Sequence, residues 1–335
     1  ITTNDSRTVM FNYNHPSQSS LITSISFNGR TWHYEYANIS TKYTLTKATR
    51  PDGKFWSYDL YNLAYREPPS MMYAPPGDPS DIYECAITTG NSGHTASITH
   101  PDGMTGTFVF EPQIHGRSNV MQFSNGIGGV NFKPIQSRCY PNHALAEKTL
   151  SGRSVSPLTW NYTYSGNLGT WTTTIPNASH KLPSGAPVDA ENHKSTTVEA
   201  PDGSKTIYYY NRDFSSFKEG SLIVVDKYDK NGTTLLSRTE SNFVASPAIG
   251  SDEVLFENSA PNKQRIMQSS SVLSKVDGST NTFTTTYNTF DIFGYPQVTS
   301  ESNNFNGKKR YTKNYYTHDT TNWLIGLPSY TQVSS

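Results

Sequence analysis

The feature that most constrains this chain is a corner that recurs between stretches of alternating side chains. Pro51-Asp52-Gly53, Pro101-Asp102-Gly103 and Pro201-Asp202-Gly203 repeat one tripeptide, and Val276-Asp277-Gly278 is a degenerate copy. Proline presets φ for the second position of a tight turn, aspartate ties its side chain to its own backbone, and glycine takes the positive φ that other residues resist. A second form, Tyr228-Asp229-Lys230-Asn231-Gly232, is echoed by Phe290-Asp291-Ile292-Phe293-Gly294. There an aromatic ends one strand, aspartate opens the bend and glycine closes it. Each corner is expected to join the two strands of a hairpin.

The flanks of these corners have a period of two. Val9, Phe11 and Tyr13 fall on one face, as do Leu21, Thr23, Ile25 and Phe27, and then Trp32, Tyr34 and Tyr36. The same alternation places together Trp56, Tyr58 and Leu60, Phe108 and Phe110, Trp160, Tyr162 and Tyr164, Trp171, Thr173 and Ile175, and Phe283, Thr285 and Tyr287. Period two is the signature of a strand, and no helical period competes with it. With 22 tyrosines and only 16% charged residues, the composition suits pleated, half-buried surfaces.

The expected fold class is therefore all-β, built of antiparallel β-hairpin repeats in a single module over residues 1–335. A lone hairpin cannot bury its aromatic face, so neighbours must stack laterally. Polar or Pro/Gly-rich stretches near 66–81, 111–145, 176–193 and 247–263 are expected as loop insertions. The second contains Asn125-Gly126-Ile127-Gly128-Gly129, which reads as a flexible loop because no Lys-Ser or Lys-Thr and no helix follows.

At residues 29–61 the pattern is complete: Gly29-Arg30, alternating Trp32, Tyr34 and Tyr36, then Thr49-Arg50-Pro51-Asp52-Gly53, then Trp56-Ser57-Tyr58. This resembles the Rhs/YD-repeat family, and Tyr228 to Gly232 is the most specific single match. The stretch Thr321-Asn322-Trp323-Leu324-Ile325-Gly326-Leu327-Pro328 is similar to a segment of such proteins as well. The resemblance implies a large curved or spiral sheet, shell-like, in secreted or cell-surface bacterial proteins, with toxin encapsulation as one use. The chain departs from the family in its irregular repeat interval, its long insertions and the lack of a self-cleaving Asp-Pro core element. A β-propeller is the alternative architecture.

The chain begins at Ile1 with no basic-then-apolar leader, which reads as a processed or excised segment. Formal net charge is zero and the 27 basic residues read as scattered, so no nucleic-acid partner is expected. No apolar stretch approaches the ~20 residues that span a bilayer, so no membrane insertion is expected. Only two cysteines occur, Cys85 and Cys139, which excludes a disulfide-dense scaffold or a multi-cysteine metal cluster; two unpaired thiols is the simpler expectation. Nucleophile elbows, metal-binding His pairs, calcium loops and phosphate loops are all missing, so no catalytic, cofactor or metal residue is assigned.

The nine histidines are dispersed, and Asp52, Asp102 and Asp202 are accounted for by their corners. A carbohydrate-active enzyme, a polysaccharide lyase or hydrolase, would draw on His33, His100, Arg30 and Arg50. A glycan-binding module would draw on Trp32, Trp56, Trp160 and Trp171, although these lie in phase with other aromatics as a packing stripe does. The leading expectation is a structural segment of an encapsulating shell or adhesive stalk. It would be extracellular or at the cell surface, its partners being other segments of its own polypeptide and an enclosed toxin domain or a glycan.

Overall fold

The computed structural model describes residues 1–2, 7–39, 41–64, 71–73, 85–87, 93–117, 120–124, 130–134, 138–165, 168–169, 193–212, 218–245, 265–276 and 279–335. The strands, in chain order, are β1 (Val9–Asn12), β2 (Ser24–Phe27), β3 (Arg30–Ile39), β4 (Lys42–Thr49), β5 (Phe55–Asp59), β6 (Met71–Tyr73), β7 (Cys85–Ile87) and β8 (His94–Thr99). There follow β9 (Thr105–Arg117), β10 (Val120–Ser124), β11 (Val130–Pro134), β12 (Arg138–Gly152), β13 (Val155–Ser165), β14 (Leu168–Gly169), β15 (His193–Glu199) and β16 (Lys205–Asn211). The last are β17 (Leu222–Tyr228), β18 (Leu235–Ala245), β19 (Arg265–Val276), β20 (Ser279–Phe290), β21 (Pro296–Asn303), β22 (Lys309–Asp319) and β23 (Leu324–Ser334). One helical turn, α1 (Tyr61–Ala64), follows β5.

The chain divides into two compact units. The first comprises residues 1–70, 87–113 and 141–162, the second residues 71–86, 114–140 and 163–335. In the first, β1, β2, β3, β4, β5, β8 and β9 are successive antiparallel neighbours, and β12 pairs with β13. In the second, β15 to β23 run as one antiparallel meander in which every strand bonds to the next. A propeller blade ends after about four strands, and this unbroken ladder of nine excludes blades from that unit. The fold is all-β, made of antiparallel hairpin repeats. The described exception is a two-residue parallel contact that sets Leu168 beside Gly116 and Gly169 beside Arg117.

The corners sit where they were expected. Those at 51–53, 101–103 and 201–203 join β4 to β5, β8 to β9 and β15 to β16, with closing pairs Thr49 and Phe55, Thr99 and Thr105, Glu199 and Lys205. The two longer forms join β17 to β18 and β20 to β21. Residues 277 and 278 lie outside the described residues, although β19 and β20 pair as far as Val276 and Ser279.

Residues 111–145, expected as a loop, carry strand instead. β9 runs on to Arg117, β10 and β11 pair from Val120 opposite Pro134 to Ser124 opposite Val130, and β12 begins at Arg138. Val120-Met121-Gln122-Phe123-Ser124 does not alternate and the pair flanks a glycine run, which is why the sequence reading passed over them. Met71 to Tyr73 is likewise strand within the first expected insertion. The remainder of that stretch, 176–192, 247–263 and the strand expected at Trp171 lie outside the described residues.

Serine and threonine earn their abundance as cross-strand partners. Ser26 and Thr31, Thr99 and Thr105, and Thr149 and Thr159 face each other in register with hydroxyl oxygens 2.9, 3.1 and 2.9 Å apart. Little of the sheet is sealed from water: among the described residues the buried apolar side chains are Ile39 and Ala96. All seven residues of β16 and seven of the eight in β4 are half-buried. A sheet laid over a core would alternate buried with exposed, so these strands behave as a single layer with two similar faces.

Candidate functional site

The corner is one repeated piece of geometry. Gly53 N–H donates to the Arg50 carbonyl at 2.9 Å while Arg50 N–H donates to the Lys54 carbonyl at 2.8 Å; the same two bonds recur from Gly103 and His100, Gly203 and Ala200, and Gly294 and Asp291. The four glycines have φ between 82 and 88°. This is a turn followed by a left-handed residue, the usual three-residue hairpin. Asp52 Oδ1 accepts from Lys54 N–H at 3.2 Å, and Asp202 Oδ1 accepts from Ser204 N–H at 3.1 Å and its hydroxyl at 2.7 Å. In the longer corners Asp229 Oδ1 accepts from the N–H groups of Asn231, Thr233 and Thr234, and Asp291 Oδ1 from Phe293 and Tyr295.

In the first unit two corners are tied together. Lys54 Nζ lies 3.0 Å from Asp102 Oδ1, Arg50 is 2.7 Å from Asp52, and His100 Nδ1 accepts from Asp102 N–H at 3.1 Å while its ring meets Trp56 edge-on at 4.4 Å. The Lys54 hydrogen bond holds the Asp102 carboxyl below the usual carboxylate range, and hydrogen bonds from Ser204 do the same for Asp202. A depressed folded pKa contributes stability that is present above the unfolded value near 3.9 and is lost as pH falls through the folded one. The amide resonance of Ser204 should therefore titrate with a midpoint below ~3.9; a midpoint at or above that value would show that the Asp202 cap is not formed in solution.

These bonds engage two of the four groups named for a lyase. Arg50 and His100 are engaged by corner aspartates, Arg30 opens β3, and His33 stands in register between Ser24 and Thr49. Trp32 lies opposite Ile25, Trp56 opposite Ala48 and Trp160 opposite Lys148, whose Nζ sits 4.2 Å from the indole centroid. All three are half-buried. Trp171, His180 and the side chains of Cys85, His115 and Cys139 lie outside the described set. Two dispersed histidines do meet, His94 and His143, with ring centroids 4.5 Å apart. Among the described residues no group of three or more His, Cys, Asp or Glu side chains is placed to hold a metal, and no helix is long and apolar enough to cross a membrane.

Two polar centres in the second unit escaped the sequence reading. Asp226 is completely buried, and Arg238 grips it with Nε and Nη2, both at 2.7 Å. Burial, with the Asp226 carboxylate next in effect, pushes the neighbouring Tyr228 hydroxyl up. The signal was an aspartate set directly behind the apolar run Leu222 to Val225. The second centre joins a corner to the Trp323 segment: His318 Nε2 lies 2.9 Å from Asp291 Oδ2, and its Nδ1 accepts from Gly326 N–H at 3.0 Å. That backbone donor assigns the ring proton to Nε2. One nitrogen faces a carboxylate and the other accepts from the main chain, so both ring nitrogens are engaged. Phe293 and Tyr295 close around it at 4.6 and 5.9 Å between ring centroids.

No family model and no curated protein matches the chain. Among solved structures it is similar to a mutant Tc holotoxin pore of Photorhabdus luminescens, at 10% identity and a TM-score of 0.42, over 93% of this chain and 20% of that one. The chain thus spans about a fifth of that neighbour's length.

Proposed function

We propose that the chain is a structural β-repeat segment of a secreted or surface Rhs/YD-repeat protein, a piece of wall in an encapsulating shell or adhesive stalk. Both units act as one module, and their partners are further segments of the same polypeptide. The observation that carries this is the burial pattern of β15 and β16. Residues on both faces are half-buried, as in a wall that something else must cover, and Arg50, His100 and His318 are bonded to corner aspartates. The repeated turn supports it too, since identical corners at the ends of hairpins are what lateral stacking requires.

Adjacent positions on a strand point to opposite faces, which makes enclosure measurable. Thr196 and Thr197 lie mid-strand in β15, opposite Tyr208 and Ile207. Single cysteines placed there should react with a maleimide at similar rates in the isolated chain. In the intact parent protein one of the two should react about tenfold more slowly or less, because the inner face is sealed from reagent. Equal rates in the parent would overturn enclosure.

A further inference from the structure

The balanced charge of the whole chain conceals a local excess. Lys308, Lys309, Arg310 and Lys313 place four cations within six residues, so the basic residues are not uniformly scattered. Register sorts them by face. Lys309, Tyr311, Lys313 and Tyr315 alternate along one face of β22, a lysine at every second such position, while Arg310 points the other way, 3.5 Å from Glu301. Neighbouring strands complete the face with Thr284, Thr286, Ser300 and Ser302, and β23 adds Tyr330 opposite Tyr315. From the Lys309 row to the Tyr315 row that face carries no Asp or Glu, and neither lysine has a carboxylate partner among the described residues.

The tyrosines are presented rather than packed away. Tyr311 is 43% and Tyr330 57% exposed. Tyr315 and Tyr330 stack at 4.0 Å with planes 14° apart, and Lys313 Nζ sits 5.0 Å from the Tyr315 centroid. Around the Lys309 end a cavity of about 520 Å³ is lined by Lys308 and Lys309 and by Phe283, Glu301 and Arg310, which belong to the opposite face. Phe305 meets Phe283 edge-on at 5.5 Å.

We propose that this face binds an acidic polysaccharide, a chain of uronate-bearing sugars. The C–H faces of its rings lie on Tyr311 and on the Tyr315–Tyr330 pair, and carboxylates meet Lys309 and Lys313. Lys309 and Lys313, four residues apart on one strand, lie ~13 Å from each other, so they meet carboxylates of non-adjacent rings of an extended polyanion. The hydroxyl floor of threonines and serines matches a polyhydroxyl ligand better than it matches unstacked bases, which favour aromatic platforms without such a floor. The site goes beyond the wall reading, and the two tests are independent: face labelling reads cover by the parent, whereas binding is read on the isolated chain.

Titration calorimetry on the whole chain with polygalacturonate, dextran and oligothymidylate tests it. Polygalacturonate should bind, with dextran about tenfold weaker or worse, and raising salt from ~50 to ~200 mM should weaken the complex. The double variant Lys309→Gln/Lys313→Gln should lose about tenfold, and Tyr311→Ala about fivefold without changing the salt dependence. Lys227→Gln, in β17, should stay within about twofold as the control for a generic charge effect. These are exposed positions, and an unchanged circular dichroism spectrum confirms that each variant is folded. Dextran binding as well as polygalacturonate, tighter binding of oligothymidylate, or an unaffected double variant would each overturn the proposal.

Discussion

Arg238→Ala should destabilise the second unit by about 3 kcal/mol, whereas Asp226→Ala, which removes the other half of the same ion pair, should cost only ~1–2 kcal/mol. The asymmetry follows from burial. Asp226 has no exposure, while the Arg238 side chain keeps 40% of its surface in water. Deleting the arginine strands a buried carboxylate beside the Tyr228 hydroxyl. Deleting the aspartate leaves a guanidinium that already reaches solvent. Hydrogen exchange of the β17 and β18 amides reports the Arg238→Ala loss locally: 3 kcal/mol is about a 150-fold loss of protection. An equal or larger effect from Asp226→Ala would contradict the placement of the two groups.

What was legible in the sequence was what is local. A Pro-Asp-Gly corner is decided by three residues and their own backbone, so all three were placed correctly, as was the alternation on either side of them. The β10–β11 hairpin was missed because Val120 to Ser124 does not alternate and the pair borders a glycine run. Asp226 and Arg238 lie 12 residues apart on adjacent strands, and His318 meets Asp291 across 27; such meetings depend on register and on which corner intervenes, neither of which a residue pattern prints. The tryptophans were read as packing, and Trp32, Trp56 and Trp160 are half-buried. The polar face of β22 was hidden for another reason. Its lysines and tyrosines alternate with residues of the opposite face, so a charge count along the chain mixes two surfaces that the sheet keeps apart.

The corners themselves should be unequal, and Gly203 should be the costliest to replace. Gly53 and Gly203 share a φ near +82°, so alanine at either suffers the left-handed penalty of ~1–2 kcal/mol. At Gly53 a new Cβ meets nothing within 4 Å, and Gly53→Ala should cost little beyond that. At Gly203 the new Cβ would overlap the carbonyl oxygen of Lys230, within the corner that joins β17 to β18. A backbone carbonyl cannot swing aside as a side chain can, so overpacking adds ~1–3 kcal/mol and Gly203→Ala should total about 3 kcal/mol. Urea midpoints for the two variants separate the contributions, because their difference isolates the contact between successive corners of β15–β16 and β17–β18. Equal losses would mean that those corners do not touch in solution. A larger loss at Gly203 would show that successive hairpins lean on one another through main chain at their turns, a contact that stiffens a sheet with few buried apolar side chains.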